Sequence, residues 1–419
     1  MKRKIAVVAL TGILAAGPAF ASGYRVPEQS VNSTALAGAY VASTPGADAS
    51  YYNPANMSWL ENKWQTEASL TWIHLDSIDY TDNATSLKNG ESLSEDFAMP
   101  NLHIVSPEYN NFRFGLSVVY PYGLSKRWNN AFPKTTAEEF TLKTYELNPT
   151  ISYKINDKLS LGGGLRAIYA EGVVKSDGPI PLPAPLNATT ISRDMDGDTT
   201  EYGYNLALTY RPMENLSLAA TYRSKVNLNI EGDARLASSV NGASYSGGAS
   251  VSVPAPAVLS LAASYTCNSG RTTAEFTYDK TYWSAYDQLD FNYGAPITDG
   301  LGVLQSAFDN PKPKNWANAE AYRLGLTHKL NSQWTIMAGF AIDKTPVPDQ
   351  TLGFELPDSN AKIYSCGVRY QATENLNLGA AYLFDDKESR TVVANANSIN
   401  GTFDNSAAQL VTVGLQYRF

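Results

Sequence analysis

After Pro18 the chain has no apolar run approaching the roughly 18–20 residues that a membrane helix needs, which excludes a helical membrane protein. It is also short of charge. Asp, Glu, Lys and Arg make up 17% of the 419 residues, where an ordinary soluble domain carries about 25%. Cysteine is nearly absent: Cys267 and Cys366 stand far apart, so there is neither a disulfide framework nor metal-type spacing. The two either pair in an oxidising compartment or serve as small apolar residues. Three histidines, at 74, 103 and 328, form no nucleophile–base constellation. No enzyme and no cofactor is therefore expected. With 32 basic against 40 acidic side chains, nucleic acid is excluded as a partner. What is plentiful is aromatic: 11% of residues, 26 of them Tyr, too many for a disordered chain.

The first residues form an address. Lys2, Arg3 and Lys4 precede a small, apolar stretch from Ile5 to Pro18, and Ala19-Phe20-Ala21 reads as a small-x-small cleavage site. Residues 1–21 are expected to be a secretory signal peptide, too short in its apolar part for a span.

The mature chain repeats with period two, the signature of strands whose side chains alternate between faces. Phe112, Phe114, Leu116, Val118, Tyr120 and Tyr122 share one face of such a segment, and Arg113, Gly115, Ser117 and Gly123 the other. Leu216, Leu218, Ala220 and Tyr222, continued by Val226, Leu228 and Ile230, form a second apolar row. Fourteen candidate strands result, among them 64–75, 97–107, 112–124, 140–153, 158–174, 201–211, 215–230 and 251–266, with the last at 408–419. Short turns such as Asn110-Asn111 and Asn331-Ser332 alternate with long links, including 125–139, 175–200, 231–250 and 285–319. That alternation, with an even strand number, is expected of an all-β, up-and-down antiparallel barrel in the outer membrane of a Gram-negative bacterium. The apolar rows would meet lipid, and closure would satisfy every backbone group. The chain ends on Phe419, in an outward row with Val411, Val413, Leu415 and Tyr417. The division is then 1–21 signal peptide, 22–63 a leading segment and 64–419 barrel.

Residues 22–63 break the period. They are rich in Ala, Ser and Gly and poor in charge, which suits a plug folded in the lumen better than a solvated tail. The run Ser22-Gly23-Tyr24, Glu28-Gln29-Ser30, Gly38-Ala39-Tyr40, Asp48-Ala49-Ser50 and Asn53-Pro54-Ala55 resembles the N-terminal hatch of the FadL-type long-chain fatty acid transporters. Pro100-Asn101-Leu102-His103, Tyr122-Gly123-Leu124, Tyr222-Arg223-Ser224 and Ala321-Tyr322-Arg323 follow in the family's order. The resemblance implies a monomeric, hatch-plugged barrel of fourteen strands, in agreement with the count from periodicity. It also implies passive uptake of a hydrophobic small molecule, with release into outer-membrane lipid through a gap at an inward kink of the third strand.

Tyr120, Pro121 and Gly123 stand where that kink is expected. Pro lacks a donor N–H and Gly marks a bend, so both disfavour a continuous ladder. By resemblance, Asn53 of Asn53-Pro54-Ala55 contacts the kink. Tyr24 and Val174 match positions of a luminal pocket. The family's two carboxylate-holding basic residues align with Ser176 and Asp290, so neither is kept, and Lys175, Arg166 or Arg113 are the candidate substitutes. Neutral aromatic or aliphatic hydrocarbons therefore stay open as substrates beside fatty acids. In the link after the fifth strand, Ile180, Leu182 and Leu186 lie in a Pro-rich apolar stretch that either captures greasy substrate or acts as a rigid spacer. The rivals from other classes are an outer-membrane lipase-type enzyme and a general porin, which would need no plug.

Overall fold

The computed structural model describes residues 23–182, 188–240, 242–267 and 269–419. The expected signal peptide and Leu186 lie outside the described residues. Eighteen segments form one hydrogen-bonded sheet; three pairs of them are halves of interrupted strands and one, Phe291–Tyr293, belongs to a loop, which leaves fourteen strands among the described residues. They are β1 Gln65–Leu75, β2 Glu95–Val105, β3 Phe112–Val119 continued as Gly123–Arg127, β4 Glu139–Lys154 and β5 Leu159–Pro181. Next come β6 Ala188–Met213, β7 Leu216–Arg223 continued as Val226–Ser238, and β8 Ser244–Ala255 continued as Val258–Cys267. The rest are β9 Thr272–Thr281, β10 Ala319–Lys329, β11 Trp334–Asp343, β12 Ala361–Gln371, β13 Leu376–Lys387 and β14 Ala407–Arg418. Each pairs antiparallel with its neighbour, and β14 pairs with β1 from Gln65 opposite Arg418 to Leu75 opposite Ala408. The barrel is closed. Trp64 and Phe419 complete the seam, exchanging main-chain hydrogen bonds of 3.0 and 3.1 Å and stacking their rings at 12°.

The expected count of fourteen holds, but two expected loops do not. Positions 175–200 and 231–250 are mostly strand: β5 and β6 run on to Pro181 and Ala188, β7 and β8 to Ser238 and Ser244. Both stretches are polar on alternate residues, so they lack the apolar outward row that marks a lipid-facing strand. The short turns form as expected. Asn110 and Asn111 both adopt positive φ, 50° and 66°, as a tight hairpin requires. Cys267 and Cys366 are exposed and unpaired.

Large apolar side chains such as Leu70, Phe114, Leu206, Leu324 and Val413 stand exposed around the outside. That belt is what a bilayer covers. Inside, residues 23–63 bond to inward side chains of β1, β3, β5, β6, β9, β10, β12 and β14, and so lie within the ring of strands. Arg323 donates to the Ala37 carbonyl at 3.0 Å and pairs with Asp279 and Asp343. Arg369 pairs with Glu67 at 2.6 Å and reaches Asn32; Arg113 donates to the Leu60 carbonyl at 2.6 Å. Glu275 accepts the main-chain N–H groups of Val41, Ala42 and Ser43. The inward arginines thus bolt the N-terminal segment to the wall. Removing one partner of such a buried pair costs about 3–5 kcal/mol, because the other charge is left without compensation.

The second apolar row predicted in β7 changes sides. Leu218 is exposed outside, whereas Val226, Leu228 and Ile230, of the same parity, are buried inside. The swap occurs at Ser224-Lys225, opposite Pro256-Ala257 in β8, since Arg223 pairs with Val258 and Val226 with Ala255. In β8 the odd residues also move, from Leu261 outside to Val251 and Val253 inside. Pro256 cannot donate to a ladder, so the sheet breaks there and resumes half a turn rotated. Above the breaks the barrel is polar outside and apolar inside, the reverse of the membrane zone.

Candidate functional site

Above the breaks lies an apolar cavity, partly open to solvent. Its walls are the inner faces of β4 to β8 and the loops after β9 and β11, with Val174, Ile230, Val251, Phe291 and Trp316 among the lining side chains. Gly172, Gly197 and Gly232 sit side by side on β5, β6 and β7 and also line it. A Cβ on Gly232 would stand 1.9 Å from the Asp196 carbonyl oxygen, so this flat wall admits no side chain. Tyr24 also lines the cavity. Its ring lies 4.5 Å from that of Trp283 and 5.8 Å from that of Trp316, and its hydroxyl donates to the Pro254 carbonyl at 2.5 Å. Burial, with Tyr286 and Tyr122 nearby, raises its pKa well above the ordinary phenol range, so it stays a donor.

Beside the cavity the wall is interrupted. β1 pairs with β2 along its whole length, but β2 pairs with β3 only from Leu102 opposite Val118 to Val105 opposite Gly115. Both pieces of β3 pair with β4. The opening is therefore between Phe97–Asn101 and Val119–Leu124, closed above by the Ser125 to Glu95 hydrogen bond of 2.6 Å and the Leu93 N–H to Arg127 carbonyl at 2.9 Å. Pro100 lies in the open stretch of β2, where an absent N–H is tolerated. Val26, Phe97, Met99 and Tyr120 give the opening an apolar inner lining. Leu124 belongs to the upper half of β3 and lines the cavity, so pocket and opening adjoin.

At the expected position, Tyr120 to Tyr122 separate the two halves of β3, with Gly123 opening the upper one. The N-terminal segment takes the place of β2 there. Val26 N–H donates to the Pro121 carbonyl and Gly123 N–H to the Tyr24 carbonyl, both at 2.8 Å. Gln29 bonds both main-chain groups of Tyr120, at 2.8 and 3.0 Å. Thr144 of β4 bonds both of Tyr122, at 3.0 and 2.6 Å. Gln29 stands in the Glu28-Gln29-Ser30 run that carries the resemblance, but neither its part nor that of Thr144 is legible in the sequence, because an uncharged side chain that replaces a ladder leaves no periodic mark.

Asn53 does not reach the kink. Its amide donates to the Val41 carbonyl at 2.8 Å and to Thr209 of β6 at 2.9 Å, and its oxygen caps Ala55 N–H at 3.1 Å. It holds the segment's own fold, and Gln29 makes the contact expected of it. Pro54 and Ala55 pack on Gly162 of β5, where a Cβ would lie 2.4 Å from the Ala55 nitrogen.

The expected basic substitutes are not in the cavity. Arg166 is fully buried against Glu146 at 2.8 Å and the Ser224 carbonyl at 2.7 Å. Arg113 holds main-chain carbonyls of the N-terminal segment, and Lys175 points away from the Val174 face toward Glu139 and Asp194, at 3.9 and 3.8 Å. The basic residue that does line the cavity is Lys314, buried and paired with Glu355. Arg193 adjoins the same wall, its guanidinium 5.1 Å from the Phe291 ring centre and 5.2 Å from that of Phe308. The Lys312-Pro313-Lys314 run in a long link was the available signal. Ile180 and Leu182 are half-buried at the tip of the β5–β6 hairpin, packed on a cluster that includes Leu236, Leu304 and Phe308.

Residues 12–419 match the family model described as outer membrane protein transport protein (OMPP1/FadL/TodX). The chain is 25% identical to outer membrane protein P1 of Haemophilus influenzae, covering 90% of this chain and 89% of that one. It is 24% identical to a long-chain fatty acid transport protein of Escherichia coli, covering 75% of each. Among solved structures, a FadL homologue of Pseudomonas aeruginosa superposes with a TM-score of 0.82 at 21% identity, covering 95% of this chain and all of that one. The toluene transporter TodX of P. putida gives 0.72 at 17%, covering 93% and 98%. With a closed fourteen-stranded barrel and a match across nearly its whole length, the chain belongs to the OMPP1/FadL/TodX family of outer-membrane transport proteins, a family of transporters and not of enzymes.

Proposed function

We propose that this protein takes up long-chain fatty acids by passive diffusion, as a monomer in outer-membrane lipid. The outer hairpin tips gather the substrate, the cavity above Tyr24 holds it, and the opening between β2 and β3 releases it sideways. Residues 23–63 act as the hatch that blocks the lumen below. The observation that carries this is the adjacency of an apolar cavity to an interrupted stretch of wall, joined through Leu124. Relatives described as long-chain fatty acid transport proteins support the substrate class.

A charged headgroup is favoured by the cations at the cavity. Lys314 and Arg193 stand near one carboxylate, Glu355, and the Arg193 Nε has no hydrogen-bond partner among the described residues. Partial burial and these two cations lower the pKa of the neighbouring Lys312 ammonium. A fatty acid carboxylate would share Lys314 and engage Arg193. The pairing of Lys314 with Glu355 favours the second reading, a neutral hydrocarbon, as carried by the relative named a toluene transporter. The deciding experiment compares binding of a fatty acid with that of the alcohol of equal length. The acid should bind at least about tenfold more tightly, and Lys314→Met should abolish the difference. Equal affinities in the unaltered protein would establish the neutral substrate instead.

A further inference from the structure

We propose that Gln29 holds the wall open: its side-chain amide stands in for a strand at Tyr120 and thereby sets the rate of sideways release. This rests on the lateral exit proposed above. A strand that bends into the lumen takes its main-chain groups away from its neighbour, and each buried one needs a new partner. At the kink those partners can be counted. Pro121 has no N–H, and its carbonyl accepts from Val26. Tyr122 is served twice by Thr144, and Gly123 by the Tyr24 carbonyl. What remains is Tyr120, whose N–H donates to Gln29 Oε1 at 2.8 Å and whose carbonyl accepts from Gln29 Nε2 at 3.0 Å.

A primary amide carries one acceptor and coplanar donors, the same chemistry as a peptide unit. Gln29 therefore supplies both halves of a rung that β2 cannot complete: the register of Leu102 opposite Val118 puts Pro100 opposite Tyr120, and Pro100 has no N–H. It is also fixed in place. It is fully buried, its N–H donates to the Tyr52 hydroxyl at 2.6 Å, and its Nε2 also reaches the Val26 carbonyl at 2.9 Å. Its carbonyl accepts from His103 Nε2 at 3.0 Å, while His103 Nδ1 meets Ser117 at 3.0 Å. His103 lies on β2 and Ser117 on β3, so one residue is tied to both edges of the opening. Without the amide, the bent Tyr120 would keep two buried, unpaired groups, whereas a straight strand paired with β2 would leave only its carbonyl, opposite Pro100, without a donor, and would become the better arrangement. Gln29 thus biases the wall toward open while leaving the cavity untouched.

The test uses the full-length protein with Gln29→Met, which keeps the chain length and removes both bonds, and Gln29→Glu, which regains the donor only when protonated. Equilibrium binding of a fluorescent long-chain fatty acid to purified protein is measured separately from its initial uptake into cells lacking other carriers. Binding should stay within about twofold for both variants, while uptake by Gln29→Met falls at least about tenfold. Relative to the unaltered protein, uptake by Gln29→Glu should recover at least about threefold as pH falls from about 8 to about 5.5, a response that a structural defect would not give. Unchanged uptake by correctly inserted Gln29→Met overturns the assignment. So does a parallel loss of binding and uptake, which would make Gln29 a folding residue. The Pro121→Val/Gly123→Val double variant separates the two levels. If it takes up substrate at the full rate, lateral exit itself fails; if it is blocked while Gln29→Met is not, only the role of Gln29 falls.

Discussion

The Tyr122 hydroxyl donates to the carbonyl of Pro256 at 3.1 Å, so the kinked strand is tied across the lumen to the break in β8. Both residues sit where their strands swap faces, since in β3 the even-numbered residues pass from Phe114, exposed outside, to Tyr122 and Leu124, buried inside. Tyr122→Phe leaves that buried carbonyl without its donor and should destabilise the barrel by about 1–2 kcal/mol. Urea unfolding in detergent micelles measures this. An unchanged midpoint would mean the bond contributes nothing to the strand's position.

Replacing Pro121 and Gly123 together with Val gives β3 a donor it lacks and removes a flexible point. The two strands can then pair along the opening except at Pro100, whose N–H is missing. Uptake should drop at least about tenfold with binding to the cavity retained, as read by cellular uptake beside binding to purified protein.

Gly232→Ala tests the flat wall of the cavity. The new methyl would meet the Asp196 carbonyl at 1.9 Å and the Gly197 Cα at 2.5 Å, contacts that only a backbone shift relieves. Such overpacking typically costs about 1–3 kcal/mol, and affinity for substrate should fall at least about fivefold. Titration by intrinsic Trp fluorescence checks it, since Trp316 lines the cavity.

Glu28 makes the N-terminal segment sensitive to pH. Burial pushes its carboxyl up to about 7, against Arg323 and with help from the nearby Asp385 carboxylate. In the unfolded chain the group titrates near 4.3. A raised folded pKa contributes stability that is present below the unfolded value and is lost as pH rises through about 7. Glu28→Gln should therefore stabilise the protein by about 1–3 kcal/mol at pH 8 and leave it little changed at pH 4. Melting temperatures at the two values decide.

Deleting residues 179–186 removes Ile180 and Leu182 from the outer apolar cluster. At about 0.8 kcal/mol per buried CH₂, affinity for a dilute fatty acid should weaken several-fold. An unaltered affinity would mark the hairpin tip as a spacer.

Periodicity made the barrel legible because each lipid-facing row, such as Val411 to Phe419, is written at every second residue. It failed above the membrane for the same reason. Glu231, Asp233 and Arg235 are polar on the outside there, so the outer halves of β6 and β7 look like loops. Val226, Leu228 and Ile230 continued the parity of Leu218, which hid the change of side at Ser224-Lys225. The kink was marked by Pro121 and Gly123, whose backbone chemistry is visible in any sequence. Gln29 and Lys314 were not, since their parts depend on which distant carbonyl or ring the fold brings beside them.

The swap of faces also decides what the cargo meets on its way. Where the barrel stands among charged headgroups and water, its polar side faces them and its oily side faces inward. Where it enters hydrocarbon, the assignment is reversed and the wall parts at the kink. A hydrophobic molecule following this route would pass the polar layer of the envelope shielded by protein, and would meet lipid only after its tails begin.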